Sequence, residues 1–206
     1  MYRRFLLSAV MAPAILVASG YAAHAGARRP EGRLTARRLQ IRHAASGARF
    51  SGTYHDGRAL DPAALADLSV VLADSRTGAV HPFDPQVIDI LWAVGQQAGL
   101  QGEFVVFSGY RTPETNAIVC GAGNSQHLRG GALDVCAPSR RLADLSDAAL
   151  ALGRGGVGVY AQRGFVHLDS GPVRHWGDVP SGNVNPGPPV DPLARMAEAW
   201  AATRQR

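Results

Sequence analysis

Apolar and polar positions along this chain alternate in short runs, with helical spacing confined to a few windows. Leu39-Gln40-Ile41-Arg42 has the two-residue period of a half-buried strand. The stretch Gly52-Thr53-Tyr54-His55-Asp56-Gly57 ends in an Asp-Gly turn signal, so a hairpin is expected before the first helix. Asp61-Pro62 then opens a short helix, with proline at its first position and Ala63, Ala64, Leu65 and Leu68 following. Asp84-Pro85 opens a second, in which Val87, Ile88, Ile90, Leu91 and Val94 recur every three or four residues and mark one buried face; Gly99 ends it.

Phe104-Val105-Val106-Phe107 is a β-branched and aromatic run of buried-strand type that delivers Ser108-Gly109-Tyr110-Arg111 to a loop. Thr112 and Pro113 cap and open another short helix. The glycines from Gly121 to Gly131 predict a loop, Ala132 to Cys136 a strand, and Leu142 to Leu152 a helix. Gly155-Gly156 breaks the chain before Val157-Gly158-Val159-Tyr160, and Phe165 to Asp169 makes the last strand. Proline and glycine density from Pro180 to Pro192 predicts irregular chain, followed by a short helix around Leu193 to Trp200. Strands and helices without strict βαβ alternation predict an α+β domain, with a small central antiparallel sheet and flanking helices.

The first residues change the picture. Arg3 and Arg4, the apolar run Phe5 to Gly20 and the small residues Ala23-His24-Ala25 have the make-up of a signal peptide spanning 1–25, cleaved near Gly26. The apolar run is at or below the roughly 18 to 20 residues of a spanning helix, so no stable membrane insertion is expected after cleavage. Arg3-Arg4 with Phe5-Leu6-Leu7 also resembles a twin-arginine export signal, and a periplasmic location is expected. Residues 26–37 read as a basic flexible tail, 38–177 as the ordered domain and 178–206 as a Pro/Gly-rich segment with its helix.

The formal net charge of +5 comes largely from Arg28, Arg29, Arg33, Arg37, Arg38 and Arg42. From residue 43 onward, 13 arginines face 15 acidic residues, which excludes a basic nucleic-acid-binding domain. The basic stretch is a solvated tail or a weak adhesive for anionic wall polymers. There are two cysteines, Cys120 and Cys136, and neither belongs to a Cys-x-x-Cys pair. Export permits a disulfide between them that would close a loop containing His127 and Asp134; free thiols or metal ligands are the alternatives.

Catalytic zinc commonly takes three protein ligands from His, Asp, Glu and Cys and leaves a fourth position for water, whose pKa falls to ~7. His127 in the glycine-rich loop and Asp134 on the following strand could converge on one ion, with His167 as a distant third ligand. A histidine and an aspartate at that spacing are weak evidence alone.

Ser125-Gln126-His127-Leu128-Arg129-Gly130-Gly131-Ala132-Leu133-Asp134 resembles the Ser-x-His-x-x-Gly-x-Ala-x-Asp motif of the zinc D-alanyl-D-alanine peptidase family. Ser108-Gly109-Tyr110-Arg111-Thr112-Pro113, with Asn116, resembles the Ser-Gly-Tyr-Arg motif that precedes it. Phe165 to Trp176 is similar to the closing motif of the murein endopeptidase MepK-like branch. The resemblance runs from about residue 38 to 177 and includes Tyr54, Leu72 to Arg76 and Gly155-Gly156-Val157-Gly158. It implies a hedgehog/DD-peptidase-like fold, with Zn2+ held by His127, Asp134 and His167. It also implies a peptidoglycan peptide as substrate. A monomer is expected.

The family places an arginine near the substrate, and Arg111 at a strand end matches it; a guanidinium can pair with a carboxylate or an oxyanion, or simply brace the loop. Several relatives carry an acid three residues before the last zinc histidine, where this chain has Gly164. Asp169 shares a strand face with His167 and could take a proton from water or orient the histidine. His175 is a candidate proton donor to the leaving amine. Ser125, Tyr160 and Arg174 are candidate substrate contacts. The loop before His127, with Cys120 and Gly121-Ala122-Gly123, is shorter than in MepK-like chains.

The expected function is zinc-dependent cleavage of peptidoglycan crosslinks between D-alanine and diaminopimelate. The alternatives are a D-Ala-D-Ala carboxypeptidase and a zinc-bearing module that binds wall peptides without cutting them. No Gly-x-Ser-x-Gly motif supports a serine hydrolase.

Overall fold

Three helices begin where a side-chain oxygen and a proline meet at the first turn, whose amides have no intrahelical partner. In the computed structural model, which describes residues 35–100, 102–137 and 139–178, Asp61 accepts from the amides of Ala63 and Ala64 at the head of α1 (Pro62–Val71). Asp84 accepts from Gln86 at the head of α2 (Pro85–Gln97), and Thr112 from Thr115 at the head of α3 (Pro113–Ile118). A fourth helix, α4 (Ser139–Leu152), starts three residues earlier than its leucine pattern predicts. The expected signal segment, the basic tail before Thr35 and the chain beyond Asp178, with its expected helix, lie outside the described residues. Among the described residues, no helix is long and apolar enough to cross a membrane.

Among the described residues, seven strands form one sheet in the order β2-β1-β3-β4-β6-β5-β7. They are β1 (Arg37–His43), β2 (Arg49–His55), β3 (Glu103–Ser108), β4 (Ala132–Cys136), β5 (Gly156–Tyr160), β6 (Phe165–Asp169) and β7 (Arg174–Gly177). The α+β class with flanking helices stands, but the sheet is larger than expected and mixed. β1 and β3 run parallel, as do β5 and β7, and the other four pairings are antiparallel. The parallel β1–β3 pair arises because α1 and α2 form the crossover between those strands. The hairpin is also displaced: its arms are β1 and β2, while Asp56-Gly57 closes only a single bridge between His55 and Leu60.

The two-residue period of β4, β5 and β6 gives the sheet two unlike faces. Leu133, Val135, Val157, Val159, Val166 and Leu168 are buried in one apolar core with Ile88, Leu91 and Leu145 of the helices. The opposite face receives Asp134, His167, Asp169 and two glycines, Gly156 and Gly158. Each fully buried aliphatic side chain contributes about 1.5–3 kcal/mol, so that core can support a polar cluster on the other side.

Candidate metal centre

Asp134 and His167 are direct cross-strand partners on β4 and β6, which sets their side chains next to each other on the face away from the helices. His127 comes from the short 3-10 turn Gln126–Arg129, whose first amides are capped by Ser125: its Oγ accepts from the His127 amide at 3.3 Å. The turn ends at Gly130, which is left-handed at φ 64° and lies so close to the Pro82 carbonyl that an added Cβ would sit 2.6 Å from its oxygen. Gly130 of the motif is therefore a steric requirement of bringing His127 back over β4.

His127, Asp134 and His167 are all buried, and one ligand atom from each lies within 4.8 Å of the others. His127 Nε2 is 3.2 Å from Asp134 Oδ1 and 3.2 Å from His167 Nδ1, which is itself 2.9 Å from Asp134 Oδ1. The outer side of each imidazole is held too. His127 Nδ1 donates to the Gly109 carbonyl at 2.6 Å, and His167 Nε2 donates to Asp169 Oδ2 at 3.0 Å. These bonds fix the tautomers, so that His127 offers Nε2 and His167 offers Nδ1 to the cluster.

Electrostatics agree with that arrangement. Burial, with smaller contributions from Arg111 and His167, outweighs the pull of Asp134 and lowers the pKa of His127, keeping it neutral with a free lone pair. Burial acts against charging Asp134 and His167 as well, but their mutual bonds win. Asp134 is held well below the usual carboxylate range by His127, His167 and Arg111. His167, bonded to Asp134 and Asp169, is raised to about 9. Without a cation, the cluster thus carries one proton on His167 between three electron-rich atoms. A divalent ion can replace that proton, and the donor set of two imidazoles and one carboxylate suits zinc.

Around this core, Arg111 donates from Nη2 to Asp134 Oδ2 and from Nε to Ser108 Oγ at 2.8 Å. Its Nη1 makes no hydrogen bond among the described residues. Asp169 is fully buried and saturated. Oδ1 accepts from the amides of Gly156 and Gly171 at 3.1 and 2.8 Å and from Arg174 Nη1 at 3.2 Å; Oδ2 accepts from His167 and from Arg174 Nη2 at 2.7 Å. Burial alone would raise its pKa, yet His167, Arg174 and the Gly171 amide bring it down to about 2.

Other expected site residues are placed differently. Arg174 faces Asp169 and stacks over Trp176, with 5.1 Å from its guanidinium carbon to the ring centroid. Tyr160 stacks on Phe165 and accepts at its hydroxyl from Trp176 Nε1 at 2.9 Å. His175 is not brought to the cluster. It lies opposite Val157 on β7, whereas Trp176, opposite Gly158, faces His167 at a centroid distance of 5.2 Å. The expected disulfide is a correction: Cys120 and Cys136 are not joined. Cys120 is exposed after α3, while Cys136 ends β4 beyond Asp134 and its thiol is pushed up to about 12 by burial and by that carboxylate. Gly164 closes the 3-10 turn before β6 at φ 73°, a left-handed position that disfavours an acidic side chain there.

Nothing in the local sequence assigns Trp176 a place beside the cluster, because β7 is short and mostly exposed. The available signal was its two-residue offset from Arg174 opposite Gly156 and Gly158; a Cβ on Gly158 would sit 2.6 Å from the indole. The carbonyl of Gly109 carries no side-chain signal at all.

A family model described as peptidoglycan L,D-endopeptidase MepK matches residues 32–176. The chain belongs to this family. A Haemophilus influenzae protein named "Probable peptidoglycan L,D-endopeptidase MepK" is 35% identical over 144 residues, covering 67% of this chain and 77% of that protein. The Escherichia coli K12 protein named "Peptidoglycan L,D-endopeptidase MepK" is 32% identical over 143 residues, covering 67% and 79%. All three motifs, and the entire cluster just described, fall within the MepK match.

Proposed function

We propose that this chain is a zinc-dependent murein endopeptidase acting in the periplasm on L,D-configured crosslinks. The observation that carries the reading is the buried His127–Asp134–His167 cluster, with three ligand atoms within 4.8 Å and both imidazoles bonded on their outer sides. The L,D linkage is supported by the names of the family and of both relatives. It replaces the D-alanine–diaminopimelate bond expected from the motifs with a diaminopimelate–diaminopimelate bond, whose acyl carbon is an L centre and whose amine is a D centre.

His127, Asp134 and His167 hold the ion, and zinc when bound polarises a carbonyl and acidifies water. The chain's own residues do the rest. Arg111 braces Asp134 through Nη2 and keeps Nη1 for the substrate carbonyl oxygen as it gains charge. Asp169 holds His167 with Nδ1 toward the ion; with five donors on its two oxygens and no exposure, it is a positioning residue and not the acceptor of a proton from water. Arg174 neutralises Asp169, and Trp176 walls the outer side of His167.

Asp169→Asn tests that assignment. An amide cannot accept from all five donors, so zinc affinity is expected to fall about 10- to 100-fold, measured by chelator competition, with kcat at saturating zinc nearly kept. Unchanged affinity with a collapsed kcat would make Asp169 the base.

The function itself is tested with purified chain, zinc-loaded or chelated, on the two kinds of muropeptide dimer, following monomer release by mass spectrometry. Zinc-dependent release from diaminopimelate–diaminopimelate dimers is expected. Release only from D-alanine–diaminopimelate dimers would restore the D,D bond, and loss of terminal D-alanine from pentapeptides would indicate a carboxypeptidase. Bound zinc without any cleavage would leave a wall-binding module.

A further inference from the structure

Arg111 sits in a loop, yet its backbone is held on three successive amides. Tyr110 N donates to the Leu72 carbonyl at 2.9 Å, Arg111 N to the His127 carbonyl at 3.1 Å, and Thr112 N to Asp74 Oδ2 at 2.7 Å. Two of those three acceptors belong to one distant turn, 72–79, which is part of no strand or helix of the cluster. That turn is itself organised by Asp74. Its Oδ1 accepts from the amides of Arg76 and Thr77 at 2.8 and 3.1 Å, its own amide donates to Ala79 O, and its carbonyl accepts from Gly78 N. Asp74 is 1% exposed. A buried carboxylate is costly unless it is hydrogen-bonded, and one that accepts backbone amides at both oxygens, as Asp74 does, is held in place by them. Consistent with this, burial would raise its pKa, but the bonds from Thr112, Thr115, Arg76 and Thr77 bring it below the ordinary value.

We infer that Asp74 is a positioning residue for the reaction: its carboxylate locks the 72–79 turn and, through Thr112 N and the Leu72 carbonyl, sets the height at which Arg111 meets Asp134 and the substrate. The inference rests on the role proposed above for Arg111. A loop residue normally samples several conformations, and a guanidinium displaced by about 1 Å loses much of its effect on a developing charge. Asp74 removes that freedom from a distance, without touching substrate or ion.

The test combines amide hydrogen exchange with a double-mutant cycle. In Asp74→Ala, the amides of Tyr110, Arg111 and Thr112 are expected to exchange about tenfold faster or more while those of β4 are unchanged. On muropeptide dimers at saturating zinc, kcat falls about tenfold with KM nearly kept. In the Arg111→Ala background the same substitution changes kcat by less than about twofold, because Asp74 acts through the residue already removed. Equal losses in both backgrounds, or unchanged exchange at 110–112, would overturn the inference.

If Asp74→Ala unfolds, shown by lost protection in β4, Asp74→Asn decides. Its amide points an NH2 at one set of N–H donors in either orientation, so kcat must track the protection of Thr112 N: both fall or both hold. A kcat loss with Thr112 still protected would sink the idea. Wild-type protein inactive on every dimer would count against the proposed function instead, and the exchange comparison would still judge the loop.

Discussion

Replacing Asp134 by alanine is expected to abolish stable zinc binding and to lower kcat on crosslinked muropeptides by at least about a thousandfold, since the ion's contribution to transition-state charge is worth several kcal/mol. Three side chains of the centre converge on Asp134: His127 and His167 meet at its Oδ1, and Arg111 at its Oδ2. Its loss has a second consequence. Arg111, only 16% exposed along its side chain, keeps Ser108 as its one side-chain partner among the described residues, and breaking such a buried pair costs on the order of 3 kcal/mol. His167 also loses one of the two carboxylates that raise its pKa to about 9, so it sheds its proton nearer neutral pH and the positive charge of the cluster is partly relieved. Metal content by elemental analysis, thermal unfolding and single-turnover cleavage check zinc binding, stability and rate separately. Asp134→Asn, which keeps the shape but not the charge, should retain most of the stability and little of the zinc. A variant that still bound one zinc per chain and cleaved normally would remove Asp134 from the metal centre.

The second large effect is expected from Arg111→Lys, about a hundredfold in kcat with zinc content unchanged. The guanidinium uses Nε for Ser108 and Nη2 for Asp134, which leaves Nη1 for the proposed contact with the substrate, three directions fixed by one plane. An ammonium at a single point cannot serve all three, and pairing with Asp134 would use the charge meant for the substrate oxygen. KM should move by much less than kcat if the interaction belongs to the transition state. Near-normal kcat in the lysine variant would reduce Arg111 to a charge partner of Asp134 and would also remove the basis for the role assigned to Asp74.

Much of what positions this centre is legible in the sequence. Asp61-Pro62, Asp84-Pro85 and Thr112-Pro113 determine three helix starts on their own, because a short polar side chain and a residue without an amide solve the same local hydrogen-bond problem wherever they occur. The alternation Phe165-Val166-His167-Leu168-Asp169 already assigns His167 and Asp169 to one face, since the strand period is a property of the backbone. The motifs around His127, Asp134 and His167, through their resemblance to the zinc peptidases, likewise pointed to the three residues that the fold brings together.

What only the tertiary structure decided concerns direction and satisfaction. The five donors on the two oxygens of Asp169, four of them from Gly156, Gly171 and Arg174, come from segments that meet only in the folded sheet. His175 and Trp176 are neighbours in sequence, and the parallel pairing of β7 with β5 turns the indole to His167 and the imidazole away. Cys120 and Cys136 are close enough in sequence for a bridge, yet one lies exposed after α3 and the other at the end of β4. The Gly109 carbonyl, the Leu72 carbonyl and the mixed sheet left no trace in the residue pattern, because backbone groups are the same at every position and their partners are chosen by the packing of distant segments.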